Sequence, residues 1–83
     1  MINAEKVRAV VREIMHKTYE RPDDILKEMQ EKLRPIKTIQ WELSADKYSV
    51  LINNKWRLSF ALKEYYTINS AFVIENKGEQ SGK

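Results

Sequence analysis

Residues 39–62 read IQWELSADKYSVLINNKWRLSFAL, and their period decides the fold. Ile39, Trp41 and Leu43 alternate with Gln40 and Glu42; Tyr48, Val50 and Ile52 follow the same rule, and so do Trp56, Leu58, Phe60 and Leu62. A period of two puts successive side chains on opposite faces of a pleated strand, so these are strands with one apolar and one wet face. Residues paired across an antiparallel ladder share a face, which makes the register testable by arithmetic. A connection over Ser44–Lys47 places Leu43 opposite Tyr48, Trp41 opposite Val50 and Ile39 opposite Ile52, three apolar pairs. The next connection has two readings. Asn53-Asn54 as a two-residue type I′ turn suits asparagine, which tolerates positive φ, but it sends Trp56, Leu58 and Phe60 to the face opposite Tyr48, Val50 and Ile52. A three-residue loop, Asn53–Lys55, with a bulge keeps all six on one core face and is the favoured reading. The two-residue turn would leave both faces partly apolar, and the second face would then need a partner. Ile68, Phe72 and Ile74 form a weaker fourth run.

Upstream of the strands the period is helical. Val7, Val10, Val11, Ile14, Met15 and Thr18 make one stripe, predicting a helix over residues 4–19 with Asn3 as its N-cap. A second helix is expected over 22–34. Pro22 suits a first helical position, Asp23 and Asp24 suit the positive end of the helix dipole, and Pro35 ends it. Ile25, Leu26, Met29 and Leu33 are its apolar face. The fold class is therefore α+β: two N-terminal helices packed on a three- to four-stranded antiparallel meander.

Eighty-three residues make one domain, expected over 1–75. Residues 76–83 hold both glycines and no large apolar residue, the composition of a disordered tail. A chain of this size buries only about 60–65% of its unfolded surface, so nearly all its large apolar residues are needed for one core. Self-association is one way to enlarge that core. The absence of cysteine excludes disulfide scaffolds and thiolate metal sites and fits a cytoplasmic setting. No apolar run reaches the length of a membrane span, so no membrane role is expected. The net charge is +3, distributed as +2 over residues 1–21, −1 over 22–35, +2 over 36–66 and zero over 67–83. No segment is a basic stripe of the kind that dominates nucleic-acid binding.

Residues suited to chemistry are few. With both glycines in the tail, nucleotide-binding loops are absent and no cofactor is implied. His16, the single histidine, lies at helical spacing from Glu13 and Glu20; an exposed histidine between two carboxylates is a simpler reading than a metal site, which needs further ligands. Ser44-Ala45-Asp46-Lys47 matches S-x-x-K, but without its companion motifs it reads as a turn. No catalytic set of nucleophile, base and anion hole is assembled. Tyr65 and Tyr66, expected in a loop, are either binding anchors for a protein or a cap on the edge of the core. Arg57, Lys55 and Lys63 lie on or near one strand, and a wet face carrying them is a modest basic surface that suits RNA phosphates.

The hairpin from Tyr48 through Asn53-Asn54-Lys55 to Phe60 resembles the central hairpin of RelE/HigB-type toxins, small ribonucleases that act on messenger RNA at the ribosome. That family also places two helices before an antiparallel sheet. The resemblance covers thirteen residues and implies that Arg57 contacts RNA. Family members begin with a strand, for which only Met1 and Ile2 are available here. Many end their last strand with catalytic aromatic or histidine residues, where this chain has Val73-Ile74-Glu75-Asn76. The functional expectation is a non-enzymatic protein-interaction module binding a protein or its own copy; the alternatives are a toxin-like ribonuclease and a non-catalytic nucleic-acid binder.

Overall fold

A computed structural model describes residues 2–76. Two helices, α1 (Ala4–Ile14) and α2 (Pro22–Lys32), precede four strands: β1 (Ile39–Ser44), β2 (Lys47–Ile52), β3 (Trp56–Lys63) and β4 (Thr67–Glu75). The strands form one antiparallel sheet in the order β1-β2-β3-β4, an open meander. Among the described residues no helix is long and apolar enough to cross a membrane. Asn76 still belongs to the ladder, its N–H donating to the Lys55 carbonyl at 2.7 Å. The rest of the expected tail, 77–83, lies outside the described residues.

Both helices cover the same side of the sheet. Val7, Val10, Val11 and Ile14 of α1 and Ile25, Leu26 and Met29 of α2, with Leu33 at its C-cap, meet Tyr48, Val50, Ile52, Trp56, Leu58, Phe60, Leu62 and Ile68 in one buried cluster. The caps are local chemistry. The Asn3 side chain accepts from the Lys6 N–H at 2.8 Å, satisfying a first-turn donor, and Pro22 opens α2 where no N–H is needed.

The first hairpin pairs Ile39 with Ile52, Trp41 with Val50 and Leu43 with Tyr48, as the alternation requires. The second pairs Ile52 with Trp56, Val50 with Leu58 and Tyr48 with Phe60, the register of the three-residue loop. Its geometry combines both readings. Asn53 and Asn54 have φ of 54° and 55°, and the Lys55 N–H donates to the Ile52 carbonyl at 3.0 Å, which is a type I′ turn. Lys55 is the additional residue that keeps Trp56 on the core face. Asn53 also holds the start of β1: its Oδ1 accepts from the N–H groups of Lys37 and Thr38 at 2.7 and 3.0 Å.

Two expectations are corrected. The first helix ends at Ile14, not at residue 19. Met15 is already extended, and His16 has a φ of 66°. The reason is a competing ladder. The His16 N–H donates to the Ile68 carbonyl at 2.8 Å, the Ile68 N–H donates to the Lys17 carbonyl at 3.2 Å, and Thr18 bridges Thr67. Thr18 and Tyr19 are good strand residues, and this pairing turns Tyr19 into the core, 9% exposed, while Thr18 stays outside.

The fourth run does not share one face. Leu62 pairs with Ile68 and Ala61 with Ser70, leaving Asn69 as an unpaired bulge residue. A one-residue slip reverses every side chain beyond it. Ile68 therefore points into the core, fully buried, whereas Phe72 and Ile74 point away from it, 71% and 55% exposed. Ala71 and Val73, opposite Phe60 and Leu58, take the core side instead.

Candidate functional surface

Among the described residues nothing covers the side of the sheet away from the helices. Its three rows follow from the register: Gln40, Leu51, Arg57 and Ile74; then Glu42, Ser49, Ser59 and Phe72; then Ser44, Lys47, Ala61 and Ser70. The middle of this surface is a floor of small side chains, Ser49, Ser59 and Ala61. Two shallow depressions lie over it. Gln40, Glu42, Ser49, Leu51 and Arg57 contribute to one, and Lys47, Ser59, Ala61, Ser70 and Phe72 to the other. Phe72 and Ile74 stand up from the β4 side of the floor. Burying an exposed side chain of this size gains about 1.5–3 kcal/mol, so these two are the largest reserves of binding energy on that face.

The bases expected to act together are spread apart. Arg57 is exposed on the outer face between Leu51 and Ile74. Lys63 shares that face but lies six residues further along β3, about 20 Å away at the rise of a strand. Lys55 is engaged at the hairpin, with its Nζ 3.3 Å from Glu75 and 5.4 Å from the centre of the Trp56 ring. These three do not form one basic patch. With Lys47 added and Glu42 subtracted, the outer face is basic but thinly so.

Tyr66 is part-buried and packs against the core, and its carbonyl accepts from the Tyr19 N–H at 3.4 Å. The Tyr65 side chain lies outside the described residues. His16 is exposed, and no group of three metal-binding side chains occurs among the described residues. Ser44-Ala45-Asp46-Lys47 is the β1–β2 turn, with Ala45 at a φ of 54°.

Tyrosines and carboxylates on the helix side are structural. Glu28 of α2 accepts from the Tyr19 hydroxyl at 2.7 Å and from Lys17 at 2.6 Å. Lys32 lies 3.9 Å from Glu28 and 2.8 Å from Glu13 of α1. Burial pushes the Glu28 carboxyl up, but the hydrogen bonds from Lys17 and Tyr19 and the charges of Lys17 and Lys32 outweigh it and hold it below the usual carboxylate value. The Tyr19 hydroxyl is pushed up by burial and by Glu28. Burial and the Asp23 charge do the same to the Tyr48 hydroxyl, which donates to the Pro22 carbonyl at 3.0 Å.

Phe72 and Ile74 are the surface residues that sequence reasoning missed. The available signal was the weakness of the fourth run itself: between Ile68 and Phe72 stand Asn69, Ser70 and Ala71, with no apolar residue at position 70 to continue the alternation.

The fold defines a class, two helices on one side of an open four-stranded antiparallel meander. No protein-family model, no curated protein and no solved structure matches the chain.

Proposed function

We propose that this chain is a non-enzymatic protein-interaction module, and that the outer sheet face docks a protein partner. The observation that carries this reading is Phe72, an aromatic side chain 71% exposed on a face that neither helix covers. A core-poor domain of this size gains nothing in folding from placing Phe72 and Ile74 outside, and exposed apolar groups of this kind mark contact sites. Lys47, Arg57 and Lys63 around the face complement a partner that presents apolar side chains within an acidic rim.

The test is affinity capture of the tagged protein from its native host after nuclease treatment, with wild type beside Leu51→Lys. Leu51 lies in the outer face on β2, away from the β4 edge. A protein retained by wild type at near-equal amount, and lost with Leu51→Lys, supports the reading. Retention that is indifferent to Leu51→Lys contradicts it.

One arrangement favours a second reading. Arg57 and Phe72 on an open sheet supply a cation for phosphate and a ring for base stacking, the two contacts that single-stranded RNA uses. A toxin-like ribonuclease of this kind would arrest growth on induced expression, with Arg57→Ala relieving the arrest. Unaffected growth and intact messenger RNA would exclude it.

A further inference from the structure

β4 is an edge strand, and its outward backbone groups can be assigned. The Asn76 N–H points towards β3, because it donates to Lys55. Backbone direction alternates along a strand, so Ser70, Phe72 and Ile74 also bond to β3, and Ala71, Val73 and Glu75 direct their N–H and C=O groups to the free edge. The bulge at Asn69 reverses this pattern on its other side. There Ile68 bonds outward, and its partner is the Lys17 segment, with N–H to carbonyl distances of 2.8 and 3.2 Å. The residues after the α1 helix thus cover the beginning of β4 and stop. Among the described residues nothing pairs with Ala71, Val73 or Glu75 from that side.

Edge strands are commonly protected by lysine, proline or a covering segment. From Asn69 to Ile74 this edge has no proline and no charged side chain. The β1 edge differs: Glu42 sits near its centre, a charged side chain of the kind that β4 lacks from Asn69 to Ile74. β4 is also the longer of the two edge strands, Thr67–Glu75 against Ile39–Ser44.

We propose that β4 pairs antiparallel with β4 of a second copy about a two-fold axis at Val73, joining two four-stranded sheets into one of eight. In this register Val73 faces the partner's Val73, exchanging both backbone hydrogen bonds, and Ala71 faces the partner's Glu75. On the outer face Phe72 lies across from the partner's Ile74 and Ile74 across from the partner's Phe72, which brings four exposed apolar side chains together. The pairing goes beyond the docking of a different protein, because it uses the strand edge and leaves the outer face open. It would carry the two outer faces side by side as one platform. Five paired residues span about 17 Å of strand. Such a contact buries well under the roughly 800 Å² per partner of a standard stable interface, so the dimer is weak and dependent on concentration.

Sedimentation equilibrium from about 10 μM to about 1 mM, the range in which a weak contact is read, is the experiment. Wild type should shift from monomer to dimer. Val73→Pro removes an N–H that the fold does not use, and should stay monomeric with its circular dichroism unchanged. Because Val73→Pro carries its own risk to folding, a second variant reads the register directly. Val73→Cys places the only thiol of the chain opposite itself, and should oxidise to a covalent dimer at least ten times faster than Ser59→Cys on the middle of the outer face. Wild type that remains monomeric at the highest concentration overturns the proposal, as does a dimer that persists in folded Val73→Pro or cross-links no faster through position 73 than through 59. Leu51→Lys separates the two readings: it should leave the dimer intact while abolishing capture of a different protein, so either can fail alone.

Discussion

At the scale of single residues, Asn53 ties the second hairpin to the start of the first strand through both its backbone and its side chain. It occupies a left-handed position, its N–H reaches the Thr38 carbonyl at 2.8 Å, and its Oδ1 receives two more N–H groups from the chain entering β1. Asn53→Ala removes the acceptor and adds a positive-φ cost, and should lower stability by about 1–3 kcal/mol in urea denaturation. Asn53→Gly relieves only the backbone part and should recover only part of the loss. Tyr48 is a different case. Its ring fills the core between Trp41 and Phe60, at centroid distances of 5.5 and 6.4 Å, and its hydroxyl closes on Pro22. Tyr48→Phe keeps the ring and should cost about 1 kcal/mol by the same measurement. The alternation made Tyr48 legible as a core residue. Its hydroxyl partner was not, because Pro22 is brought to it only by the packing of α2.

At the scale of elements, the turns and strands that follow strict alternation were readable, and the failures fall where two elements compete for one segment. Residues 15–19 continue a helical stripe in the sequence, yet β4 offers them a ladder, and no local pattern records that offer. The bulge at Asn69 is likewise a tertiary event: it allows Ile68 to fill the core beside Tyr19 while the rest of β4 stays in register with β3. The surface that results, with Phe72 and Ile74 outside, follows from that single extra residue. The same geometry predicts an asymmetry between neighbours. Phe72→Pro deletes a hydrogen bond to β3 and should destabilise by about 3 kcal/mol or more, whereas Val73→Pro deletes an outward N–H and should cost distinctly less. Thermal melts of the two variants check it. Equal losses would mean that the outward groups of β4 have been misassigned.

At the scale of the whole molecule, one layer of helices covers one side of the sheet, and the Glu28 cluster binds α2 to both α1 and the segment after α1 that pairs with β4. The sign of its pH dependence follows from the lowered Glu28 carboxyl. Its stabilisation is present above the ordinary glutamate value of about 4.3 and is lost as pH falls through the lower folded value. Raised Tyr19 and Tyr48 hydroxyls act at the other end, stabilising the fold below the ordinary tyrosine value of about 10 and losing that contribution as pH rises beyond it. Glu28→Gln should flatten the acid limb of a stability–pH curve, and Tyr19→Phe and Tyr48→Phe the alkaline one. Among the described residues the other side of the sheet has no such layer, and its openness underlies the proposed docking of a partner. The most direct measurement compares urea denaturation of Ile68→Ala with that of Phe72→Ala, two residues that the sequence places in one run. A buried Ile68 and an outward Phe72 predict a loss of about 2–5 kcal/mol for the first and under about 1 kcal/mol for the second. A loss of about 3–5 kcal/mol for Phe72→Ala would place that ring in the core and contradict the open face.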